Sequence, residues 1–339
     1  MKYDTLVLIG RFQPMHMVHL EIIKRATALC DKLIIIVGSS NQPRTYKNPF
    51  TFEERAKMIR CATGGLRLQI NIEANTDTIY NDQAWAVRVQ QIVSKHTAPS
   101  DRVGIIGHKK DDSSFYLGMF PQWGFEDVDL GEFLSAVNIR DLFFKIDFNP
   151  GFIKSVVPQS TMDFMVDEFR AEKTAYMQII AERNFIAEHN KQYAGLKYPP
   201  IFSTADAVVI QSGHILMIKR RAEPGRGLWA IPGGYVNANT DKSVENAAIR
   251  ELREETGIKV PAPVLRGSIV RSKVFDAIGR SPRGRIITHA FYIQLPDGEL
   301  PKVKGSDDAE KAKWVPIAEV RSEECFEDHF EIIQHFLGA

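Results

Sequence analysis

Apolar positions in the first half of the chain fall in short runs that alternate with amphipathic stretches. Thr5 to Ile9 is a strand-like run closed by Gly10, and Lys32 to Val37 (KLIIIV) is a second, closed by Gly38-Ser39-Ser40. Arg102 to Ile106 is a third, followed by Gly107. Helical spacing marks about His19 to Cys30, Glu53 to Cys61 and Asp82 to His96. Strands alternating with helices, with glycine at the strand ends, predict a parallel sheet covered by helices on both faces. Ligands bind such sheets beyond the carboxyl ends of the strands, where Gly10, Gly38 and Gly107 fall.

A different pattern follows. Ser160 to Gln192 is mostly helical and polar, and Tyr198-Pro199-Pro200 breaks it. Strand-like runs then cover Ala205 to Ile210, Ile215 to Ile218 and Ile286 to Leu295, around one strongly amphipathic helix, Ser243 to Thr256. The change of pattern predicts one domain over 1–195, with a core of 1–150 and a helical extension, and a second over 200–339. A length of 339 residues suits two domains, and 44% apolar with 25% charged residues suits globular ones. Lys plus Arg number 43 and Asp plus Glu 42, so a generally basic nucleic-acid binder is excluded and any anion site must be local. No apolar run approaches the ~18 residues of a membrane span. The start, MKYDTLVLIGRF, reads as a strand rather than a signal peptide. Cys30, Cys61 and Cys325 are odd in number and far apart, against both a disulfide framework and a thiolate metal site. The expected location is cytoplasmic.

Gly10-Arg11-Phe12-Gln13-Pro14-Met15-His16-Met17-Val18-His19 leaves a strand and opens a helix. Free backbone N–H groups and the helix dipole favour a phosphate at such a place, and Arg11 adds a planar cation. His16 and His19, three apart, can face one way. A surface pair is the plainer alternative, and zinc lacks a third ligand nearby. Asn48-Pro49-Phe50-Thr51-Phe52-Glu53-Glu54-Arg55 and Ser135-Ala136-Val137-Asn138-Ile139-Arg140 follow later, the second at a helix start.

Together these segments resemble the HxGH nucleotidyltransferases, and among them the archaeal-type nicotinamide mononucleotide adenylyltransferases, over about residues 1–150. Val18 stands where that family has glycine. The resemblance implies a doubly wound sheet and transfer of the adenylyl group of ATP to a mononucleotide. It implies that His16 and His19 donate to the triphosphate, that Arg140 and Ser135 hold its β- and γ-phosphates, and that Arg11 lies near the reacting phosphorus. Gly10, Phe12, Gly38, Ser39, Asn48 and Gly107 would line the nucleotide pocket, and Mg²⁺ would bridge phosphate oxygens. Asn81, Asp82 and Trp85 are the candidates for the mononucleotide, Trp85 by stacking on a cationic ring. As alternatives, Trp85 is a core anchor and Asn48-Pro49-Phe50 a turn before a capped helix.

In the second half, Leu228-Trp229-Ala230-Ile231-Pro232-Gly233-Gly234-Tyr235-Val236 precedes Ala247 to Ile258. Glu251, Glu254 and Glu255 stand at i, i+3 and i+4 on one helix face, and crowded carboxylates suit Mg²⁺ or Mn²⁺. Gly257 is the helix stop. The segment resembles the Nudix box, with its REUXEE core at Arg250 to Glu255. Lys242 replaces the first box glutamate, so Arg250 needs another partner, Glu245 or Asp241. The resemblance implies an α/β/α Nudix domain with a mixed sheet, a metal held by Glu251, Glu254 and Glu255, and hydrolysis of a substituted nucleoside diphosphate. Gly233, Gly234 and the basic stretch Ser272 to His289, with Arg280, Arg283 and Arg285, would meet ADP-ribose; a solvated loop is the alternative.

Both halves in this order resemble the bifunctional nicotinamide-nucleotide adenylyltransferase/ADP-ribose pyrophosphatase family. The implied partners are ATP, nicotinamide mononucleotide, NAD and ADP-ribose, with neither nucleic acid nor membrane, and a homo-oligomer is left open. The competing reading is an adenylyltransferase for another phosphate joined to a Nudix domain that senses ADP-ribose without cleaving it.

Overall fold

The computed structural model describes residues 1–108, 112–128, 131, 135–306 and 308–338. They form two compact units, Met1–Ile180 and Ala181–Ala339. The division falls upstream of the break at Pro199-Pro200, inside a helix.

In the first unit β1 (Thr5–Gly10), β2 (Lys32–Val37), β3 (Gln69–Ala74), β4 (Val103–Gly107) and β5 (Gly124–Asp127) are all parallel, in the order β3-β2-β1-β4-β5. The helices are α1 (Met17–Ala26), α2 (Phe52–Thr63), α3 (Asp82–Ser94), α4 (Ala136–Phe143), α5 (Gln159–Asp163) and α6 (Lys173–Lys191), the last crossing into the second unit. Alternate strand residues face opposite layers. Leu6, Leu8, Leu33 and Ile35 pack with Ile22 and Ile23 of α1, Ile59 of α2 and Phe143 of α4. Val7, Ile9, Ile34 and Ile36 pack with Val89, Ile92 and Val93 of α3. This is the doubly wound sheet the pattern predicts. Strand order reverses at β1, which opens a crevice beyond the ends of β1 and β4. The edge strands β3 and β5 carry no apolar run, because each has one neighbour and half-exposed faces; hydrophobic patterning therefore passes over them.

In the second unit β6 (Ile201–Gln211), β7 (His214–Arg220), β10 (Ile269–Phe275), β11 (Arg285–Gln294) and β12 (Ala309–Pro316) form a sheet in the order β10-β11-β6-β7-β12. Only β11 and β6 run parallel; the rest are antiparallel. Short β8 (Trp229–Ala230) pairs with β7 and β9 (Gly233–Tyr235) with β6. Helices α7 (Val244–Thr256), α8 (Ala262–Gly267) and α9 (His329–Leu337) complete it. Phe291 and Ile293 pack with Ala248 and Leu252 of α7. Tyr292, between them in sequence, stacks on Phe336 of α9 at 5.7 Å. Helices therefore cover both faces, the α/β/α arrangement expected. Ser243 caps α7 by accepting the Asn246 N–H, and Gly257 ends it at φ 59°. Of the stretch 272–289, expected as a basic loop, 272–275 belong to β10 and 285–289 to β11, and 276–284 connect them.

Tyr3 packs directly beneath β4, where a Cβ on Gly104 would lie 2.7 Å from its Cε1 and 2.9 Å from Leu6 Cδ2. Gly104→Ala is expected to destabilise the first unit by about 1–3 kcal/mol through overpacking. Thermal unfolding at an unchanged midpoint would contradict that packing.

Candidate functional site

The first site is built where β1 gives way to α1. His16 is the N-cap of α1, and its backbone N–H donates to His19 Nδ1 at 3.3 Å. The two imidazoles stack with centroids 3.8 Å apart, and Phe12 lies 4.4 Å from His19. Burial, with the nearby His16, pushes the His19 pKa well below the ordinary range. A neutral ring accepting at Nδ1 carries its proton on Nε2, so His19 presents a fixed N–H donor rather than a cation. Val18 packs against the first core.

Arg140, on α4, is 5% exposed and donates from Nη1 to the Gln13 carbonyl at 2.7 Å. Its buried Nε has no partner, and among the described residues no carboxylate pairs with it. Burial, then the charge of Arg11, lowers its pKa to about 10, so it stays charged at neutral pH. A buried cation with an idle donor suits an incoming phosphate. Ser135 caps α4, accepting the Asn138 N–H, and its hydroxyl donates to Asn138 Oδ1 at 2.6 Å. Asn48 is 8% exposed with its Oδ1 unpartnered, while Thr51 caps α2.

Arg55, Gln13 and Asp77 carry no role in the sequence reading. Arg55 is 1% exposed and donates to the carbonyls of Arg11 (2.7 Å), Gly38 (2.7 Å), Ser39 (3.2 Å) and Thr51 (3.1 Å). It ties the ends of β1 and β2 together. Gln13 bridges to Phe50, donating to its carbonyl at 2.8 Å and accepting its N–H at 3.0 Å. The Ser39 hydroxyl donates to Asp77 at 2.5 Å; its side chain is thus engaged within the protein. Gly10 ends β1 with a Cβ position 3.0 Å from the Phe12 ring, and Gly107 ends β4 with its own 3.1 Å from Leu117. At Gly38 a Cβ would meet only ordinary contacts, Arg11 Cγ at 3.8 Å and Asp77 Oδ1 at 3.9 Å. Asn81 caps α3 by accepting the Ala84 N–H at 3.0 Å, and Asp82 opens that helix, exposed. Trp85 is half-buried, edge-on to Tyr116 at 6.0 Å and 6.2 Å from Phe120. Lys109 to Asp111 lie outside the described residues.

The second site lies where β9 meets α7. Glu255 is 4% exposed, and its Oε2 accepts the Gly233 N–H at 2.9 Å. Burial, with Glu251 adding repulsion, pushes its pKa up to about 8. Gly234 lies so close to Glu251 that a Cβ would stand 2.5 Å from Oε1; Gly233 is as close to Asp206, at 2.0 Å. Both glycines are therefore required by carboxylate packing. Arg250 binds Asp241 through Nε (3.0 Å) and Nη2 (2.8 Å), and donates from Nη1 to Glu251 (2.8 Å) and Glu254 (2.9 Å). Asp241 supplies the partner required by Lys242, while Glu245 pairs with Arg266. With Arg250 across Glu251 and Glu254, and Glu254 46% exposed, no group of three ligands converges among the described residues. Glu251 and Glu255 nevertheless offer the hard oxygen atoms a divalent cation takes, and its charge would let both ionise.

Arg280 is not open to substrate. Its guanidinium, 3% exposed, donates to both Asp328 oxygens at 2.8 and 2.7 Å. Arg285 stands 3.8 Å from Asp276, with its buried Nη1 unpartnered.

Residues 7–111 match the cytidylyltransferase-like family and residues 201–336 the NUDIX domain family, so the chain joins a nucleotidyltransferase-like unit to a Nudix hydrolase-like one. A crystal structure of a bifunctional NMN adenylyltransferase/ADP ribose pyrophosphatase from Francisella tularensis, complexed with AMP and a manganese ion, is 32% identical. It superposes with a TM-score of 0.91 over 99% of both chains. The nicotinamide/nicotinic acid mononucleotide adenylyltransferase of Acinetobacter baylyi is 40% identical over 48% of this chain and 86% of its own length. The ADP-ribose pyrophosphatase of Methanocaldococcus jannaschii is 31% identical over 43% of this chain and 78% of its own. This chain belongs to the bifunctional NMN adenylyltransferase/ADP-ribose pyrophosphatase family. Among the described residues no helix is long and apolar enough to cross a membrane.

Glu255 gives the metal-free protein a pH signature. Its folded pKa of about 8 lies above the ordinary 4.5, so between those values the folded state holds a proton the unfolded state has lost. Stability should fall as pH rises through that window, by up to about 1.4 kcal/mol per pH unit. A divalent cation should restore it, and Glu255→Gln should flatten the slope. Thermal unfolding with chelator against pH checks this; equal slopes in both proteins would refute it.

Proposed function

We propose that this chain both makes and cleaves pyrophosphate linkages in NAD metabolism. In the first unit the 5′-phosphate of nicotinamide mononucleotide attacks the α-phosphorus of ATP. The new P–O bond forms NAD as the bond to the β-phosphate breaks and pyrophosphate leaves. The nucleophile is largely ionised, with a second pKa of about 6, so no general base is needed. The protein's work is placement and charge stabilisation. The Nε2–H of His19 and the idle Nε–H of Arg140 meet the triphosphate, together with His16, Arg11 and the amide end of α4 behind Ser135. Mg²⁺ carried by the triphosphate supplies further neutralisation and needs no protein cage.

In the second unit water attacks one phosphorus of ADP-ribose and the bridging P–O bond breaks, giving AMP and ribose 5-phosphate. Glu251 and Glu255, with Glu254 beside them, would hold Mg²⁺ or Mn²⁺, and the ion would neutralise the diphosphate and lower the pKa of the attacking water. Gly233 and Gly234 let the carboxylates approach the backbone, and Arg250, fixed by Asp241, orients them. Trp85 stacking on the nicotinamide ring remains part of the proposal for the first unit. The observation that chiefly supports the whole is a pair of desolvated groups suited to opposite charge: Arg140, held on the Gln13 carbonyl of the segment that leads into His16 and His19, and Glu255 beside Glu251.

His19→Ala should reduce NAD formation on the order of 10²–10³-fold and leave ADP-ribose cleavage intact. Glu255→Gln should do the reverse. Product analysis with each substrate set decides it; loss of both activities in either variant, or binding of ADP-ribose without turnover by the unaltered protein, would overturn the assignment.

A further inference from the structure

We propose that Arg220 and Arg283 form the clamp that grips the diphosphate of the second unit's substrate. The proposal rests on the hydrolytic reading above and adds to it the residues that receive the anion. Arg220 ends β7, and Arg283 lies in the connection between β10 and β11. Neither the box motif nor its spacing points to Arg220.

Both guanidiniums are gathered on one aromatic platform. Arg220 lies over the Phe326 ring at 4.0 Å, and Arg283 lies over it at 5.6 Å and over Tyr235 at 5.9 Å. Phe326 is 4% exposed. Gly225 presses on it, at φ +77° and with a Cβ position only 2.3 Å from Cδ2. Stacking fixes the plane of a guanidinium and leaves its edge N–H groups for a bidentate anion.

The terminal N–H groups of Arg220 are unspent: among the described residues its side chain makes one hydrogen bond, from Nε to the Pro224 carbonyl at 2.9 Å. Among the described residues no carboxylate pairs with it, and its two terminal amino groups have no protein acceptor. Arg283 is held by the Ser281 hydroxyl at 3.2 Å and by two long contacts, 3.4 Å each, to Glu327. Glu327 itself sits at φ +46°, in the left-handed region. Such strain in a non-glycine residue is typical of functional sites.

The location is the site's own edge. Tyr235 directly follows the two glycines that seat Glu255 and Glu251, and its carbonyl accepts from Arg250 at 3.2 Å. The charge of Arg220 is felt at Glu255, where it opposes the rise in that carboxyl's pKa. Glu327 answers part of this charge, since it pairs with Arg283 at 3.4 Å and its charge also acts on Arg220, but it gives Arg220 no direct contact. An anion with two adjacent charged phosphates would reach both guanidiniums at once. Arg280 and Asp328, by contrast, already satisfy one another.

The test uses the full chain with ADP-ribose and Mn²⁺, and inorganic pyrophosphate as competitor. Arg220→Gln should raise KM and the inhibition constant of pyrophosphate together, by about tenfold or more, while kcat changes less. Arg220→Lys should recover part of both, and Arg283→Gln should move both in the same direction. The thermal unfolding midpoint reports that the second unit of each variant is folded. A fall in kcat and melting temperature with KM and pyrophosphate inhibition unmoved would make Arg220 a structural residue and overturn the clamp. Absence of turnover by the unaltered protein would sink the hydrolytic reading instead; direct calorimetric binding of pyrophosphate to the same variants then still judges the clamp.

Discussion

An ionisable group held out of water, and incompletely answered by the protein, is the feature both candidate sites share. Among the described residues Arg140 is buried with an idle nitrogen and no paired carboxylate, and Glu255 is buried beside another carboxylate. Left alone, each costs folding energy. A ligand of opposite charge would offset that cost, an anion at Arg140 and a cation at Glu255. Desolvation is therefore incurred when the chain folds, and binding has little left to reorganise.

That condition shapes the backbone around the sites. Phe12 and Ser39 both adopt positive φ, 52° and 51°, at the turns leaving β1 and β2. Arg55 is set between those turns and donates to the carbonyl before each of them. A charge-assisted guanidinium spanning several carbonyls offsets the strain of two such turns. Gln13 extends the same tie to Phe50, so two loops far apart in sequence act as one surface. In the second unit Arg250 has the corresponding place: it joins Asp241, Glu251, Glu254 and the Tyr235 carbonyl, and so fixes the helix face relative to β9.

The fold was legible wherever a strand or helix buries a face. β1, β2, β4, β6 and β7 announce themselves as apolar runs, and α7 by its amphipathic spacing and its glycine stop. Edge strands β3 and β5 do not, since pairing on one side needs no apolar run. The motif residues His16, His19, Glu251 and Glu255 also stand out in the sequence, because their spacing is local. Arg280 shows the limit of such reasoning. As an arginine in a basic stretch it resembles a phosphate ligand, and only the approach of Asp328 from α9's N-terminus removes it from that role.

Sequence alone pointed to the two chemistries and the order of the units, for each motif is encoded within a few consecutive residues on one element. Tertiary structure decided which arginines are paired and which are not, how Asp241 stands in for the missing box glutamate, and that Arg55 ties the ends of β1 and β2 together. Those outcomes depend on partners distant in the chain, and a side chain's charge is available to a ligand only when no other part of the fold has already paired with it.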